Sequence, residues 1–291
     1  MSVDLIQQRL ELATPESAQR QEQMLKEIFQ EIALAALSQA RFFEQAAFHG
    51  GTSLRILYKL RRFSEDLDFL LKEPNTDFSW DKYAAALMTE FALFGVDLEI
   101  QDRSKVPSAI KTIFLKHGSV GKLLTLHYPM HPKKKLLVKL EIDSNPPAGS
   151  TFEIQHLNFP TPFSVLVQAQ DCQMANKLHA LLCRAYTKGR DWFDFLWYLD
   201  RHIKPNLKLL QNALIQQGPW ADQDLQIDLD WLLSAFDEKI QNCDWEVAKR
   251  DIDRFLGKLE QRGLESWGKE FFLSQLTRLQ DLFAVDPLIK S

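Results

Sequence analysis

Two aspartates, Asp66 and Asp68, stand one residue apart in Asp66-Leu67-Asp68-Phe69-Leu70, a run that alternates polar and apolar residues. With the period of a β-strand, both carboxylates leave the same face about 6–7 Å apart at Cα, close enough to share one divalent ion. Mg2+ or Mn2+ suits such a pair, because a hard cation takes oxygen ligands and completes its shell with water and substrate phosphates. Alone the pair is ordinary, since alternating acids commonly line the wet face of a strand. Its company changes the reading. Upstream, Gly50-Gly51-Thr52-Ser53 closes the short apolar run Ala46-Ala47-Phe48-His49 and opens a stretch with Leu54, Leu57 and Tyr58 at helical spacing. Glycines let the backbone approach a phosphate, the first turn of the helix offers free N–H groups to an anion, and Ser53 adds a hydroxyl donor. A phosphate-holding turn, a helix and a strand bearing two carboxylates supply both halves of a nucleoside triphosphate (NTP) site.

A two-metal transfer site often uses a third carboxylate. Glu141 is the candidate, on the alternating run Leu136 to Asp143, where Lys139, Glu141 and Asp143 share a face. Asp143 could serve instead, and Asp97 and Glu99 are weaker alternatives. Further along, Lys177 and Arg184 fall two turns apart on one helical face, where both could meet triphosphate oxygens. Arg190-Asp191-Trp192-Phe193-Asp194 comes next, with Arg190 and Asp194 spaced for an intrahelical pair. His49 and His179 lack a second histidine at metal-ligand spacing and read as structural. Two basic clusters, Lys59 with Arg61 and Arg62, and Lys133-Lys134-Lys135, are the places where a polyanion could be held.

The elements that must position these residues can be read from local pattern. Thr14-Pro15-Glu16 reads as a helix start, and helical residues continue to about 39. A strand, a tight turn and a helix extend through residue 58, then a strand at 66–70, a helix over 79–94, and alternating runs at 96–100 and 136–143. Between about 105 and 135, Thr112-Ile113-Phe114-Leu115 suggests a strand, while Gly118 and Gly121 interrupt the residues after it. Pro146-Pro147 and Pro160-Thr161-Pro162 break the pattern, and helices are expected near 170–187, 190–202, 205–217, 222–236, 244–262 and 265–284. This predicts an N-terminal helical arm (1–40), an α+β core (41–165) and a C-terminal helical domain (166–291).

The chain has 291 residues, 45% hydrophobic and 25% charged, enough for two modest domains. Its apolar runs fall far short of the roughly 20 residues of a membrane span, and Met1 to Gln8 lacks the basic and apolar regions of a secretory signal. A cytoplasmic location is expected. Cys172, Cys183 and Cys243 are too far apart for a paired metal motif and odd in number, which predicts reduced thiols. The formal charge of −4 gives no global attraction to nucleic acid.

His49-Gly50-Gly51-Thr52-Ser53-Leu54-Arg55, followed by Arg61-Arg62-Phe63-Ser64-Glu65-Asp66-Leu67-Asp68-Phe69, resembles the first motif of the AbiEii family of abortive-infection and toxin–antitoxin nucleotidyltransferases. Val138-Lys139-Leu140-Glu141-Ile142 resembles its third-acid strand. Lys177 to Leu181, with Arg184, Arg190, Asp191 and Asp194, resembles its Lys, Arg and Arg-Asp motif, so the likeness runs from about residue 41 to 200. It implies a DNA polymerase β-like core, a mixed sheet with flanking helices. By position it implies Gly51 and Ser53 for phosphate contact, Asp66 and Asp68 for metal, Lys177 for the triphosphate and Asp191 as a catalytic acid, with the roles of Glu141 and Asp191 open to exchange. The candidate nucleotide-binding set is Gly50, Gly51, Thr52, Ser53, Arg61, Ser64, Lys177 and Arg184, and the metal set is Asp66, Asp68 and Glu141. The resemblance also implies an NTP donor, the 3′ end of tRNA as acceptor, blocked translation, and a cognate antitoxin encoded nearby. Two other readings use the same residues. A metal-dependent nuclease needs the carboxylates and lysine but not the Gly-Gly turn, and a non-catalytic module would only bind a nucleotide or a partner.

Overall fold

In the computed structural model, which describes residues 3–104, 108–118, 123–131 and 134–284, the chain divides into two units. Gly121 and Lys133 lie outside the described residues. The first unit holds residues 1–59, 63–146 and 152–167 and contains a sheet; the second holds 60–62, 147–151 and 168–291 and is helical.

The sheet unit begins with two helices, α1 (Val3–Ala13) and α2 (Ala18–Gln39). Thr14 does not start a helix. Its left-handed φ of 39° ends α1, and Ser17 caps α2 by accepting the Arg20 N–H at 3.2 Å. The hydroxyl that starts the helix is the one that faces a free first-turn N–H, and that is Ser17. Ile6 and Leu10 from α1 and Leu25 to Leu37 from α2 join the core beneath the sheet. Then come β1 (Ala46–His49), α3 (Gly50–Tyr58), β2 (Asp66–Leu71), α4 (Asp81–Ala92), β3 (Glu99–Asp102), β4 (Ile110–His117), β5 (Leu136–Asp143), β6 (Phe152–Leu157) and β7 (Phe163–Gln168).

The strands form one mixed sheet in the order β3-β4-β5-β2-β1-β7-β6. β2 runs antiparallel to β1 and parallel to β5, and β4 and β5 are antiparallel. In β2 the alternation works as expected: Leu67, Phe69 and Leu71 are buried, while Asp66 and Asp68 stay partly open on the opposite face. Beneath them Phe42, Phe69, Phe78, Trp80 and Tyr83 pack in edge-on and stacked pairs, a rigid apolar floor that specifies one packing. β6 and β7 have no counterpart in the sequence reading. Their alternation is interleaved with Glu, Gln, His and Ser, and β7 joins the sheet by a parallel pairing, Phe48 with Val167, that no local pattern announces.

The helical unit contains α5 (Gln170–Cys183), α6 (Gly189–Asp200), α7 (Leu207–Gln216), α8 (Leu229–Gln241), α9 (Trp245–Asp253), α10 (Lys258–Gly263) and α11 (Lys269–Ala284). Several expected helices are trimmed by a few residues at an end, and two depart further. α8 begins only after Asp228, whose carboxylate accepts the Trp231 N–H at 2.8 Å; the expected 244–262 helix breaks into α9 and α10 around Gly257. Trp192, Phe195, Phe236, Trp245 and Phe272 form the core of this unit. Among the described residues no helix is long and apolar enough to cross a membrane.

Candidate active site

The register of the sheet decides which acids meet. Asp68 of β2 lies beside His49 of β1 on one side and Glu141 of β5 on the other, and Glu141 lies beside Thr112 of β4. Because paired residues share a face, His49, Asp68, Glu141 and Thr112 form one row across four strands. Asp66 and Lys139 begin the adjacent row. The Lys139 ammonium is 2.6 Å from the Glu141 carboxylate and 3.9 Å from that of Asp66, while Thr112 donates its hydroxyl to Glu141 at 3.1 Å. The candidate metal residues Asp66, Asp68 and Glu141 thus share one face of adjacent strands, with Lys139 among them.

Burial raises the pKa of Asp66 first, Asp68 adds to the effect, Lys139 offsets part of it, and Glu141 and Glu65 raise it further, to about 6. A site with too many carboxylates for its one lysine is short of positive charge, which fits a hard divalent cation. Among the described residues no three acids, histidines or cysteines converge as a complete ligand set. The fit is to an open site, in which Asp66 and Asp68 would hold Mg2+ or Mn2+ and water and phosphate oxygens would supply the rest of the shell.

Protonation of Asp66 has a measurable consequence. Its folded pKa lies above the ordinary 3.8, so the ionised group weakens the metal-free fold above pH 6, and that penalty disappears as pH falls toward 4. Solvent screens the effect, because 40% of the side chain is exposed. Asp66→Asn should raise the melting temperature of the chelator-treated protein by about 1–3 °C at pH 8, and the gain should shrink as pH falls below about 6 and vanish near pH 4. Thermal melts across that range check it; a gain independent of pH would refute the electrostatic account.

Gly50 explains how the turn and the acids are brought together. It opens α3 with φ +78°, and a Cβ added there would lie 2.7 Å from the Asp68 carboxylate. The backbone packs directly on the acid because there is no side chain between them. His49, the residue preceding α3, makes no side-chain cap bond, so no side chain of the cap takes up the first-turn N–H groups that face anions. Gly50→Ala meets both the left-handed backbone and the carboxylate. It should cost at least about 1–2 kcal/mol in urea denaturation, and a wild-type midpoint would contradict the geometry.

The other motif residues take more specific places. Gly51, Thr52 and Ser53 are buried in the first turn of α3. The Thr52 hydroxyl donates to the Asp66 carbonyl, and that of Ser53 to the Gly50 carbonyl at 2.8 Å. Both hydroxyls hold the turn to its own backbone and to β2. Ser64 is buried, whereas the Arg61 side chain is 72% exposed with a long 3.6 Å approach to Glu260. Asp143 accepts the Asn145 N–H at 2.9 Å, which ties it to the turn after β5. Glu99 pairs with Lys135 at 2.6 Å and Lys134 with Glu22, so the described part of that basic run is ion-paired.

In the helical unit, the second group of candidates forms a buried charge network. Lys177 of α5 lies 2.8 Å from both Asp191 and Asp194 of α6, and Arg184, just past the end of α5, pairs with the other oxygen of Asp191. Burial alone would raise the Asp191 pKa, but Lys177 and Arg184 outweigh it and hold the carboxyl at about 2. Such a carboxylate is a poor proton acceptor and a good counter-ion. Arg62 is not part of a surface patch. It is buried and grips Asp194 through two bonds, 2.6 and 2.7 Å, and it needs this partner because burial of an unpaired guanidinium is prohibitive. Arg190 does not pair with Asp194 either: it reaches Asp251 at 3.4 Å, since Asp194 is already occupied by Arg62 and Lys177. Lys188, just before α6, is a further member of this charged region: burial lowers its pKa and nearby Asp191 partly restores it. A lone lysine before a glycine carries no periodic signal that would have found it. His179 contacts the Gln217 carbonyl at 2.9 Å, as a structural histidine does.

A family model described as the nucleotidyl transferase AbiEii toxin of type IV toxin–antitoxin systems matches residues 32–273. The fold is similar to that of JHP933 from Helicobacter pylori, at 17% identity and a TM-score of 0.51, over 90% of this chain and 92% of that one. A second H. pylori structure, titled as a proposed nucleotidyltransferase, aligns at 17% identity and a TM-score of 0.49, over 89% of this chain and 95% of that one. At such identity the first likeness bears on the fold alone. No curated protein matches the chain.

Proposed function

The chain belongs to the AbiEii nucleotidyl transferase toxins of type IV toxin–antitoxin systems, and on that premise we propose that it moves a nucleoside monophosphate from an NTP to an RNA hydroxyl, the 3′ end of tRNA. The observation that carries the reading is the row of acids on β2 and β5 packed against the Gly50 turn. In the reaction, the acceptor oxygen attacks the α-phosphorus, the bond to the bridging oxygen breaks, and pyrophosphate leaves with that electron pair. A divalent cation bound there would offset the charge that develops on the phosphoryl oxygens and lower the pKa of the attacking hydroxyl.

The protein's own groups do the rest. The N–H groups at the start of α3 would bind phosphate oxygens, helped by the positive end of the helix dipole. Asp66 and Asp68 would orient the cation toward the α-phosphate. Glu141, already hydrogen-bonded to Thr112, is the carboxylate we assign to the acceptor proton. In the helical unit Lys177 and Arg184 are assigned to phosphate oxygens, and Asp191, held at about 2, keeps both cations in place. Gly51, Thr52, Ser53 and Ser64 then shape the nucleotide-binding turn, and Arg61 is an exposed cation for the nucleotide or RNA.

Toxicity through blocked translation would result from capping the end that must accept an amino acid, and an antitoxin encoded next to this gene would relieve it. The test is to incubate the chain with each α-labelled NTP, Mg2+ and total tRNA, and to express it in cells. Label appearing at tRNA 3′ ends, with growth arrest, is expected. No transfer from any of the four nucleotides and no arrest would end the toxin reading; transfer to another RNA would correct the acceptor.

A further inference from the structure

At the entry to β2 three successive backbone carbonyls are held by side chains of two helices, α2 and α3. Gln30 of α2 donates its amide to the Ser64 carbonyl at 3.0 Å and the Glu65 carbonyl at 2.9 Å, and Thr52 of α3 donates to the Asp66 carbonyl. One turn before Gln30 on the same face of α2, Lys26 pairs with the Glu65 carboxylate at 3.3 Å. Thus α2 grips Glu65 through both its main chain and its side chain, immediately before Asp66.

Gln30 is fully buried, and among the described residues its own amide oxygen has no hydrogen-bond partner. A buried acceptor left unmade is costly, and a core selected for stability alone would avoid it. What Gln30 provides instead is two donors aimed at consecutive carbonyls. Those bonds fix the peptide planes that set the direction of the Asp66 side chain. A residue at the start of a strand whose backbone was free to tilt would move its carboxylate relative to Asp68, and small misplacements of a ligand group cost large factors in rate.

We propose that Gln30 is a positioning residue that holds the Asp66 carboxylate in place for divalent-cation binding and transfer. This rests on the reading of Asp66 and Asp68 as the cation ligands. The experiment uses Gln30→Met, which keeps the bulk of the side chain and removes both donors, beside Leu34→Ala, a cavity one turn further along α2 at another fully buried position. Mn2+ binding is measured by electron paramagnetic resonance without nucleotide, together with kcat, KM for the NTP and the melting temperature. Gln30→Met is expected to weaken Mn2+ binding about tenfold and to lower kcat about tenfold to a hundredfold with KM within about twofold, whereas Leu34→Ala lowers the melting temperature at least as much and leaves Mn2+ affinity unchanged.

Unchanged Mn2+ affinity in Gln30→Met overturns the proposal whatever kcat does, as does an equal Mn2+ loss in Leu34→Ala. If Gln30→Met does not fold, Gln30→Asn, whose shorter amide no longer reaches both carbonyls, is judged by the same criteria. Because the Mn2+ arm needs no substrate, it decides the positioning claim even for a chain that transfers no nucleotide; failure of the parent protein to bind Mn2+, or Mn2+ binding that survives Asp66→Ala, overturns it together with the ligand assignment.

Discussion

Asp66→Ala is expected to lower nucleotide transfer by about a thousandfold or more while leaving the protein folded. Three features make this the largest activity effect. Asp66 lies on the open face of β2 beside Lys139 and one alternate position from Asp68. Its carboxyl is raised to about 6 by burial and by the neighbouring acids, the mark of a negative charge in need of a cation. Its backbone carbonyl is bonded to Thr52, an interaction that alanine retains. The fold should survive because the side chain is partly open and the lost charge is one the metal-free protein holds at a cost. Label transfer per folded molecule, with circular dichroism as the check on folding, gives the answer. Transfer within tenfold of wild type would remove Asp66 from the site and with it the cation assignment.

Asp194→Ala should have the largest effect on stability. Asp194 is completely buried and is the shared counter-ion of Arg62, whose side chain is 4% exposed, and Lys177, at 14%. Removing it takes the two-bonded carboxylate from Arg62 and one of two carboxylates from Lys177, and breaking a buried pair from one side costs about 3–5 kcal/mol. For a chain of this size that is on the order of 10 °C in melting temperature. Surface pairs such as Arg41 with Glu44 should cost far less. The double variant Arg62→Met with Asp194→Leu should recover much of the loss, since Lys177 keeps Asp191 and no guanidinium is left unpaired. Denaturant unfolding distinguishes the cases: a single variant within about 1 kcal/mol of wild type would show that the network contributes little, against the expected penalty.

Much of the architecture is written locally. The alternation in Asp66-Leu67-Asp68 and in Leu136 to Asp143 is visible because a strand repeats every two residues, and both runs are strands, with Leu67 and with Leu136, Val138, Leu140 and Ile142 inside. The Gly50 turn is legible for a similar reason, as glycine is the residue that takes a positive φ at little cost. Helix ends are less legible: Ser17 rather than Thr14 caps α2, and Asp228 starts α8, because several nearby side chains could cap and the packing of the helix chooses among them. β6 and β7 are not legible locally because polar residues interrupt their pattern and their pairing is remote.

The sequence by itself determined the kinds of element, the order of the motifs and, through them, membership of a nucleotidyltransferase family. Only the tertiary structure decided the register that sets Asp68 beside Glu141 and Asp66 beside Lys139; a slip of one residue would have turned Glu141 to the opposite face. Only the structure showed that Arg62 is the buried partner of Asp194, 132 positions away, rather than part of a basic patch, and that Lys177 already carries two carboxylates. Periodicity is a property of neighbours along the chain and can be read from a string of letters. Charge pairing, burial and the pKa shifts they cause depend on distances through space, and those exist only once the chain has closed its long loops.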